Sequence, residues 1–344
     1  MEELPPALEE RIKRRGGSAT IYDIAELAGV NPSTVSRALS KPGRVSEKTE
    51  AKIRAAAERL DFRFNPMARA LPTGRSNMIG LVVADITNPV VFGIVRGAEH
   101  AAAGAGYTLV VAESQESGEA EAQAISRLLP SVDGIILATT RLADGNIAAL
   151  ATRKPMVLIN RHVDGVAEVL PDVEAGVDAM MEHLASLGHR SIAYLAGPDT
   201  SWMSGRRFEA MLDAAERLDV GIVEIGPNAP TIEGGRTALR RIVAARSTAV
   251  LAFNDLMAIG VMQSAAAAGI VVPAALSVAG FDDIFGSELI VPPLTTVQAQ
   301  LEKAGERAVA SVLAQLGGDT VAAEDSLLQT RLIVRGSTGP YAVA

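Results

Sequence analysis

Four polar side chains crowd one short stretch of the chain: Ser33, Thr34, Ser36 and Arg37, three hydroxyls and a guanidinium. Hydroxyls and a planar cation suit phosphate oxygens and base edges, so the chemistry they point to is nucleic-acid recognition. Other chemistries have no comparable carrier. The chain has no cysteine, which removes disulfide scaffolds, thiolate metal sites and cysteine nucleophiles. Its four histidines, His100, His162, His183 and His189, lack the i, i+4 spacing of a helical metal pair, and His189 after Gly188 reads as a structural turn residue. No P-loop, G-x-S-x-G, H-E-x-x-H or dinucleotide fingerprint occurs. Acid pairs such as Asp282-Asp283 could hydrolyse a substrate in principle, but adjacent residues rarely face one substrate together. The expectation is a protein without catalysis, cofactor or metal.

The elements that would position the polar cluster can be read from capping and periodicity. Thr20 with Asp23 resembles a capping box, and Ile21, Ile24, Ala25 and Ala28 form an apolar stripe that ends at Gly29. Asn31 then caps a second helix with Pro32 at its first position, where a missing N–H costs nothing. Ala25, Gly29 and Val35 have helix-turn-helix spacing: alanine permits close crossing, glycine makes the turn, and valine packs the second helix onto the first. Ser46 opens a further helix through Leu60, with Ile53, Ala56, Ala57 and Leu60 inward. Residues 1–18 show no apolar periodicity and are expected to be a flexible tail. Asn65-Pro66 followed by Met67 to Leu71 and stopped by Pro72 gives a helix of about six residues, too short to be stable alone in water. It forms only against a partner, such as its symmetry mate and DNA, and Leu71 at its end can wedge into a minor groove.

Charge supports the same division. The whole chain carries a formal −8, but residues 11–77 hold 14 Lys and Arg against 6 Asp and Glu, a balance of +8, while residues 78–344 hold 18 against 30 and Glu2, Glu3, Glu9 and Glu10 supply the remaining acids. A small basic module on an acidic body is the footprint of a localised nucleic-acid contact. A length of 344 residues suggests about two domains plus an appendage. With 48% hydrophobic but only 3% aromatic residues, aliphatic side chains must fill the cores. From residue 78 onward apolar strands, at 79–83, 108–111, 134–137, 156–159, 191–195, 220–225, 249–253 and 276–279, alternate with Ala-rich helical stretches. That pattern makes parallel sheets covered by helices, and so many strands divide more naturally into two doubly wound lobes than one sheet. No signal-peptide pattern opens the chain, and the uncharged stretch 256–281 reads as a buried helix followed by a strand, not a membrane span. A cytoplasmic protein with no membrane partner is expected.

The motifs taken in order resemble one family. Thr20 to Ala25, Ala28-Gly29-Val30, Ser33 to Leu39, Asn65-Pro66 with Ala68 to Leu71, and Thr73 to Ser76 are similar to the LacI/GalR bacterial transcription regulators. So are Asp85 to Pro89, His183-Leu184 with Gly188-His189-Arg190, Asn254-Asp255, Gly280 to Asp283, Pro292 to Thr296, and Arg331 to Ser337. The resemblance spans about residues 20–340.

It implies an N-terminal all-α helix-turn-helix headpiece at 19–63, a hinge helix and linker at 64–77, and an α/β bilobed core resembling periplasmic binding proteins. The first lobe would comprise 78–172 and 297–325, the second 173–296 and 326–344. A homodimer would read pseudo-palindromic double-stranded operator DNA through Thr20, Asn31, Pro32, Ser33, Thr34, Ser36 and Arg37 and, in the hinge, Asn65, Ala68, Arg69 and Leu71. Pro32, which has no side-chain donor, and Pro72 depart from the polar residues usual at those positions. A small-molecule effector, a sugar or related metabolite, would sit between the lobes against Asp85, Asn88, Phe92, Asn160, Arg161, Arg207, Asn254 and Asp282, with Arg206 an alternative to Arg207. Carboxylates, amides and an arginine fork at strand ends suit a polyhydroxylated ligand. The function implied is allosteric transcriptional repression. The competing reading is a solute-binding protein of a sugar transport system, which shares the bilobed core but needs no headpiece.

Overall fold

A computed structural model describes residues 4–16, 18–40, 43–62, 75–318 and 327–341. The chain divides into two units, Met1–Gly74 and Arg75–Ala344. The expected hinge helix, with Asn65, Ala68, Arg69 and Leu71, lies outside the described residues.

In the first unit the described helices are α1 (Pro6–Arg14), α2 (Ile21–Ala28), α3 (Pro32–Ser40) and α4 (Glu47–Arg59). Thr20 starts α2 as its spacing predicts: its N–H and its hydroxyl donate to the same Asp23 carboxylate oxygen at 2.8 and 2.7 Å. Gly29 closes α2 at φ +66°, the left-handed conformation that favours glycine, and Val30 N–H returns to the Ala25 carbonyl at 3.0 Å. Ile24, Ala25, Val35, Ala38, Ile53, Ala56 and Leu60 then meet in one small core. The expected tail is a finding against the sequence reading. Residues 6–14 are helical, and Leu8 is fully buried in that same core with Leu4 and Ile12 packed beside it. Pro6 sits at the first helical position, where proline fits, and Arg11, Lys13 and Arg14 occupy the last turn, where cations complement the helix dipole. Arg11 and Arg15 both pair with the buried Asp23, at 3.1 and 2.8 Å, which ties α1 to the start of α2.

The second unit contains two six-stranded sheets. The first lobe supplies β1 (Met78–Val83), β2 (Thr108–Glu113), β3 (Gly134–Ala138), β4 (Met156–Ile159) and β5 (Ala167–Pro171), with helices α5 (Val90–Gly104), α6 (Gly118–Leu128) and α7 (Asp144–Ala151). The second supplies β6 (Ser191–Leu195), β7 (Gly221–Ile225), β8 (Ala249–Ala252), β9 (Ser277–Asp282) and β10 (Thr295–Gln298), with α8 (Val173–Ser186), α9 (Trp202–Leu218), α10 (Ile232–Ala244), α11 (Asp255–Ala267) and α12 (Gly286–Leu289). Helix α13 (Leu301–Gly317) returns to the first lobe, β11 (Leu327–Leu328) joins its sheet, and β12 (Arg331–Ile333) closes the second. The sheet orders are β11-β5-β4-β3-β1-β2 and β12-β10-β9-β8-β6-β7, parallel except for the β10–β12 pair.

Strands buried on both faces read as continuous apolar runs, and their side chains separate by parity. In β1, Ile79, Leu81 and Val83 face one core while Val82 faces the other; in β3, Ile136 and Ala138 oppose Ile135 and Leu137. Helices α5 and α13 cross at glycines: a Cβ on Gly97 would meet the Glu302 carbonyl oxygen at 1.9 Å, and one on Gly305 would meet that of Ile94 at 2.1 Å. The chain passes between the lobes three times, after β5, after β10 and after β11. The third passage lies later than the expected boundary at 325, because Leu327 and Leu328 pair with Leu170 and Pro171 of β5 in the first lobe. The stretch 256–281 is α11 and most of β9, as its composition indicates, and among the described residues no helix is long and apolar enough to cross a membrane.

Candidate functional site

Strands of parallel sheets end in polar residues on one edge, and in this core the two edges face each other across a cleft. From the first lobe, Ala84 and Asp85 follow β1, Thr139 and Arg141 follow β3, and Asn160 follows β4; Asn88, Val90, Val91 and Ile94 come from the start of α5. From the second come Ser201 and Met203 at the start of α9, Arg207 one turn on, Pro230, then Phe253 and Asn254 after β8, and Asp282 at the end of β9. Three of these residues are at positive φ without being glycine or lying in a helix, Thr139 (58°), Asn160 (59°) and Asp282 (107°), and so are Glu116 (60°), which also lines the cleft, and Asp283 (55°), next to Asp282 in sequence. Strained backbone held by the surrounding fold concentrates where side chains must be aimed. The cavity between the lobes measures about 50 Å³, room for roughly four waters and not for a sugar ring, so the lobes stand closed.

Arg207 is the centre of the second lobe's wall. It is almost fully buried, donates from Nη1 to the Phe253 carbonyl and from Nη2 to Asp282 Oδ1 at 3.1 Å, and its guanidinium lies 4.2 Å from the Phe281 ring centroid and 5.2 Å from that of Phe253. Burial pushes the Asp282 carboxyl up, against the pull of Arg207. Arg206 turns away to Glu174 and Glu209, so of the two adjacent arginines it is Arg207 that lines the cleft. Asn254 holds two elements together: its Oδ1 accepts from Met257 N–H at 2.9 Å and its Nδ2 donates to the Pro230 carbonyl at 3.0 Å.

The first lobe's wall has its own arginine, which the sequence reading missed. Arg141 donates from Nε to Glu116 at 2.8 Å and from Nη1 to the Thr139 carbonyl at 2.8 Å, and its backbone N–H donates to the buried Glu121 carboxylate at 2.8 Å. Burial pushes the Glu121 carboxyl up. Behind the second lobe's wall stands Asp255, fully buried and accepting from Thr296 and Ser287 hydroxyls at 2.6 Å each and from Ile284 N–H at 3.1 Å. Burial, reinforced by repulsion from Asp282, pushes its carboxyl up to about 8.

Of the eight expected cleft residues, Asp85, Asn88, Asn160, Arg207, Asn254 and Asp282 surround this one cavity. Phe92 and Arg161 do not. Phe92 is 53% exposed, because the turn of α5 that directs Val91 and Ile94 inward rotates position 92 to solvent. Arg161 pairs with Asp144 and lines an outer recess with Trp202 and Arg206. Glu116, Thr139, Arg141, Ser201 and Phe253 join the cleft; reading each residue that follows a strand would have found Thr139. A larger recess, about 620 Å³, lies between α6 and α7, but it is floored by Ile125, Leu129, Leu142 and Leu150 and lacks the cleft's strand-end polar groups.

In the headpiece, Ser33, Ser36 and Arg37 fall at i, i+3 and i+4 on the exposed face of α3, Thr34 and Pro32 are half-buried at its edge, and Val35 and Ala38 face the core. Asn31 is exposed and Thr20 half-buried. Tyr22, 67% exposed on α2, adds a phenol that the sequence reading did not single out.

The pattern of the lacI family of bacterial regulatory proteins matches residues 20–65, and that of the periplasmic binding protein-like domain matches 181–338. The HTH-type transcriptional regulator DegA of Bacillus subtilis is 33% identical over 93% of this chain and 98% of its own length. The chain belongs to the LacI family. Another similar member, the HTH-type transcriptional repressor CytR of Escherichia coli, is 31% identical over 95% of this chain and 98% of its own. Among solved structures, the Lac repressor dimer bound to operator and the anti-inducer ONPF superposes with a TM-score of 0.84 at 28% identity, covering 94% of this chain and 99% of that one. The CelR–cellobiose complex gives 0.68 at 26% identity, covering 93% and 99%.

Proposed function

We propose that this LacI-family member is a sequence-specific repressor of transcription whose operator affinity is set by a small polyhydroxylated effector, a sugar or related metabolite, held between the core lobes. What carries the reading is the presence in one chain of a helix-turn-helix with an exposed Ser33, Ser36 and Arg37 face and of a two-lobed cleft walled by Asp85, Asn160, Asn254, Arg207 and Asp282. The Lac repressor relative binds operator as a dimer and CelR holds cellobiose; carried to this chain, those names suggest a homodimer on a pseudo-palindromic site and a sugar in the cleft. The chain then acts in the cytoplasm, where its DNA is, and the cleft binds without turnover. The transport reading has no use for the headpiece and finds no support among the named relatives.

Mechanistically, the closed cleft must open to admit a ligand, and the three passages between the lobes are the segments that flex. Effector binding shifts the balance between open and closed lobes, and with it the spacing of the hinge segments of the two protomers. Leu71 is the residue assigned to the central step of the operator. Leu71→Ala should weaken operator binding about tenfold or more and abolish DNA bending; unchanged affinity and bending in a gel-shift comparison with wild type would remove the hinge from the mechanism.

A further inference from the structure

Resting on the assignment of the effector cleft, we propose that the cleft is built for an uncharged polyhydroxylated ligand and rejects phosphorylated sugars and other anions. Among its described lining residues the cations are Arg141 and Arg207, and each already has a carboxylate: Arg141 lies on Glu116 at 2.6 Å and Arg207 on Asp282 at 3.1 Å. Each also donates to a backbone carbonyl, Arg141 to that of Thr139 and Arg207 to that of Phe253. A third carboxylate, Asp85, has no cation partner among the described residues and is held only within its own turn, its Oδ1 accepting from Thr87 N–H and hydroxyl at 2.8 and 2.6 Å. The cleft therefore carries one acid more than its bases neutralise.

Helix N-termini are the other usual source of anion affinity, and three of them open on the cleft. In each, one N–H is already taken by a side chain. Asn88 Oδ1 accepts from Val90 N–H at the start of α5 at 3.2 Å, Ser201 Oγ from Ser204 N–H at the start of α9 at 3.3 Å, and Asn254 Oδ1 from Met257 N–H at the start of α11 at 2.9 Å. A phosphate entering here finds no uncommitted cation and a bare carboxylate beside it. To recruit Arg207 it must leave Asp282 buried without its partner, which is the expensive way to break such a pair. Sugar hydroxyls meet the opposite situation: carboxylate oxygens of Asp85 and Asp282 accept from them, and the amide of Asn160 can do both.

The test is a thermal-shift titration of the full chain against matched pairs, namely pentoses, hexoses and nucleosides, each beside its phosphate ester, with operator binding as the check that each sample is folded. Stabilisation confined to the neutral member of a responding pair, with its phosphate ester weaker by about a hundredfold, is the expected result. A phosphate ester that binds as well as or better than its neutral partner overturns the inference and leaves the cleft assignment standing. No response from either member of any pair overturns the cleft assignment and this inference together. Glu116→Gln, which frees Arg141, and independently Asp85→Asn, which removes the unpaired acid without touching either arginine, should each narrow the gap between ester and neutral partner by about tenfold. An unchanged gap in both variants, with operator binding intact, would show that charge does not set the selectivity.

Discussion

Arg207 joins two strand ends that would otherwise be held apart by their own polar groups: the Phe253 carbonyl after β8 and the Asp282 carboxylate at the end of β9. Removing it as Arg207→Ala leaves Asp282 buried and unpaired, so we expect a loss of about 3–5 kcal/mol in stability together with loss of the effector response. Arg207→Lys keeps the charge but not the fork, and it should recover most of the melting temperature without recovering the effector shift; equal recovery of both would mean the fork has no role in recognition. Asp255 is a different case, a carboxyl that shapes the wall from behind. Its folded pKa of about 8 lies above the unfolded value near 3.8, so between those two pH values the unfolded chain binds fewer protons than the native one and stability falls as pH rises. The melting temperature of wild type relative to Asp255→Asn should therefore decline from about pH 4 to about pH 8 and level off above; a pH-independent difference would mean Asp255 is ionised in the fold. Cleft residues such as Asp85, Asn160 and Asn254 were legible through the family resemblance, which carries its effector positions onto them, and each stands at or just past the end of an apolar strand run. Arg141 was not, since its partner Glu116 lies 25 residues away and only the fold brings them together.

At the scale of elements, periodicity found what is long and regular. Helix α2, its glycine turn, α3 and α4, and the strands β1, β3, β4, β6, β8 and β9 all announce themselves as caps or apolar runs. The misses have separate physical causes. Strand β10 is polar in sequence, yet Thr295 and Thr296 are fully buried, their hydroxyls satisfied by Thr338 and Asp255, so hydropathy is silent there. Strand β11 is two residues long and exists only by pairing with β5. Helix α1 shows just two large apolar residues, Leu8 and Ile12, among charges, with Leu4 ahead of its first turn. That helix has a consequence for the headpiece, whose core is small enough for one side chain to matter. Leu8→Ala should cost the headpiece about 2–3 kcal/mol, read as faster hydrogen exchange in α2 and α4 of the full chain. Exchange no faster than wild type would show α1 to be an ornament on a self-sufficient bundle.

For the whole molecule, the formal −8 conceals a mildly basic first unit, Met1–Gly74, with 13 Lys and Arg against 10 Asp and Glu, and an acidic second unit, Arg75–Ala344, with 19 against 30. The acidic body repels DNA except where the headpiece contacts it, which favours specific over diffuse binding. Two lobes joined by three passages are the part of the core that the proposed mechanism sets in motion. The sequence could announce the lobes, because βα alternation is local, but not that they stand closed, because closure is a relation between strand ends far apart in the chain. The central claim is that occupancy of the cleft and affinity for operator are linked. The direct measurement is an operator titration across a salt series, with and without a saturating ligand found by thermal shift. We predict an affinity that falls steeply with salt and a displacement of the whole curve by about fivefold or more when the cleft is occupied. Curves that superimpose with and without the bound ligand would contradict the account.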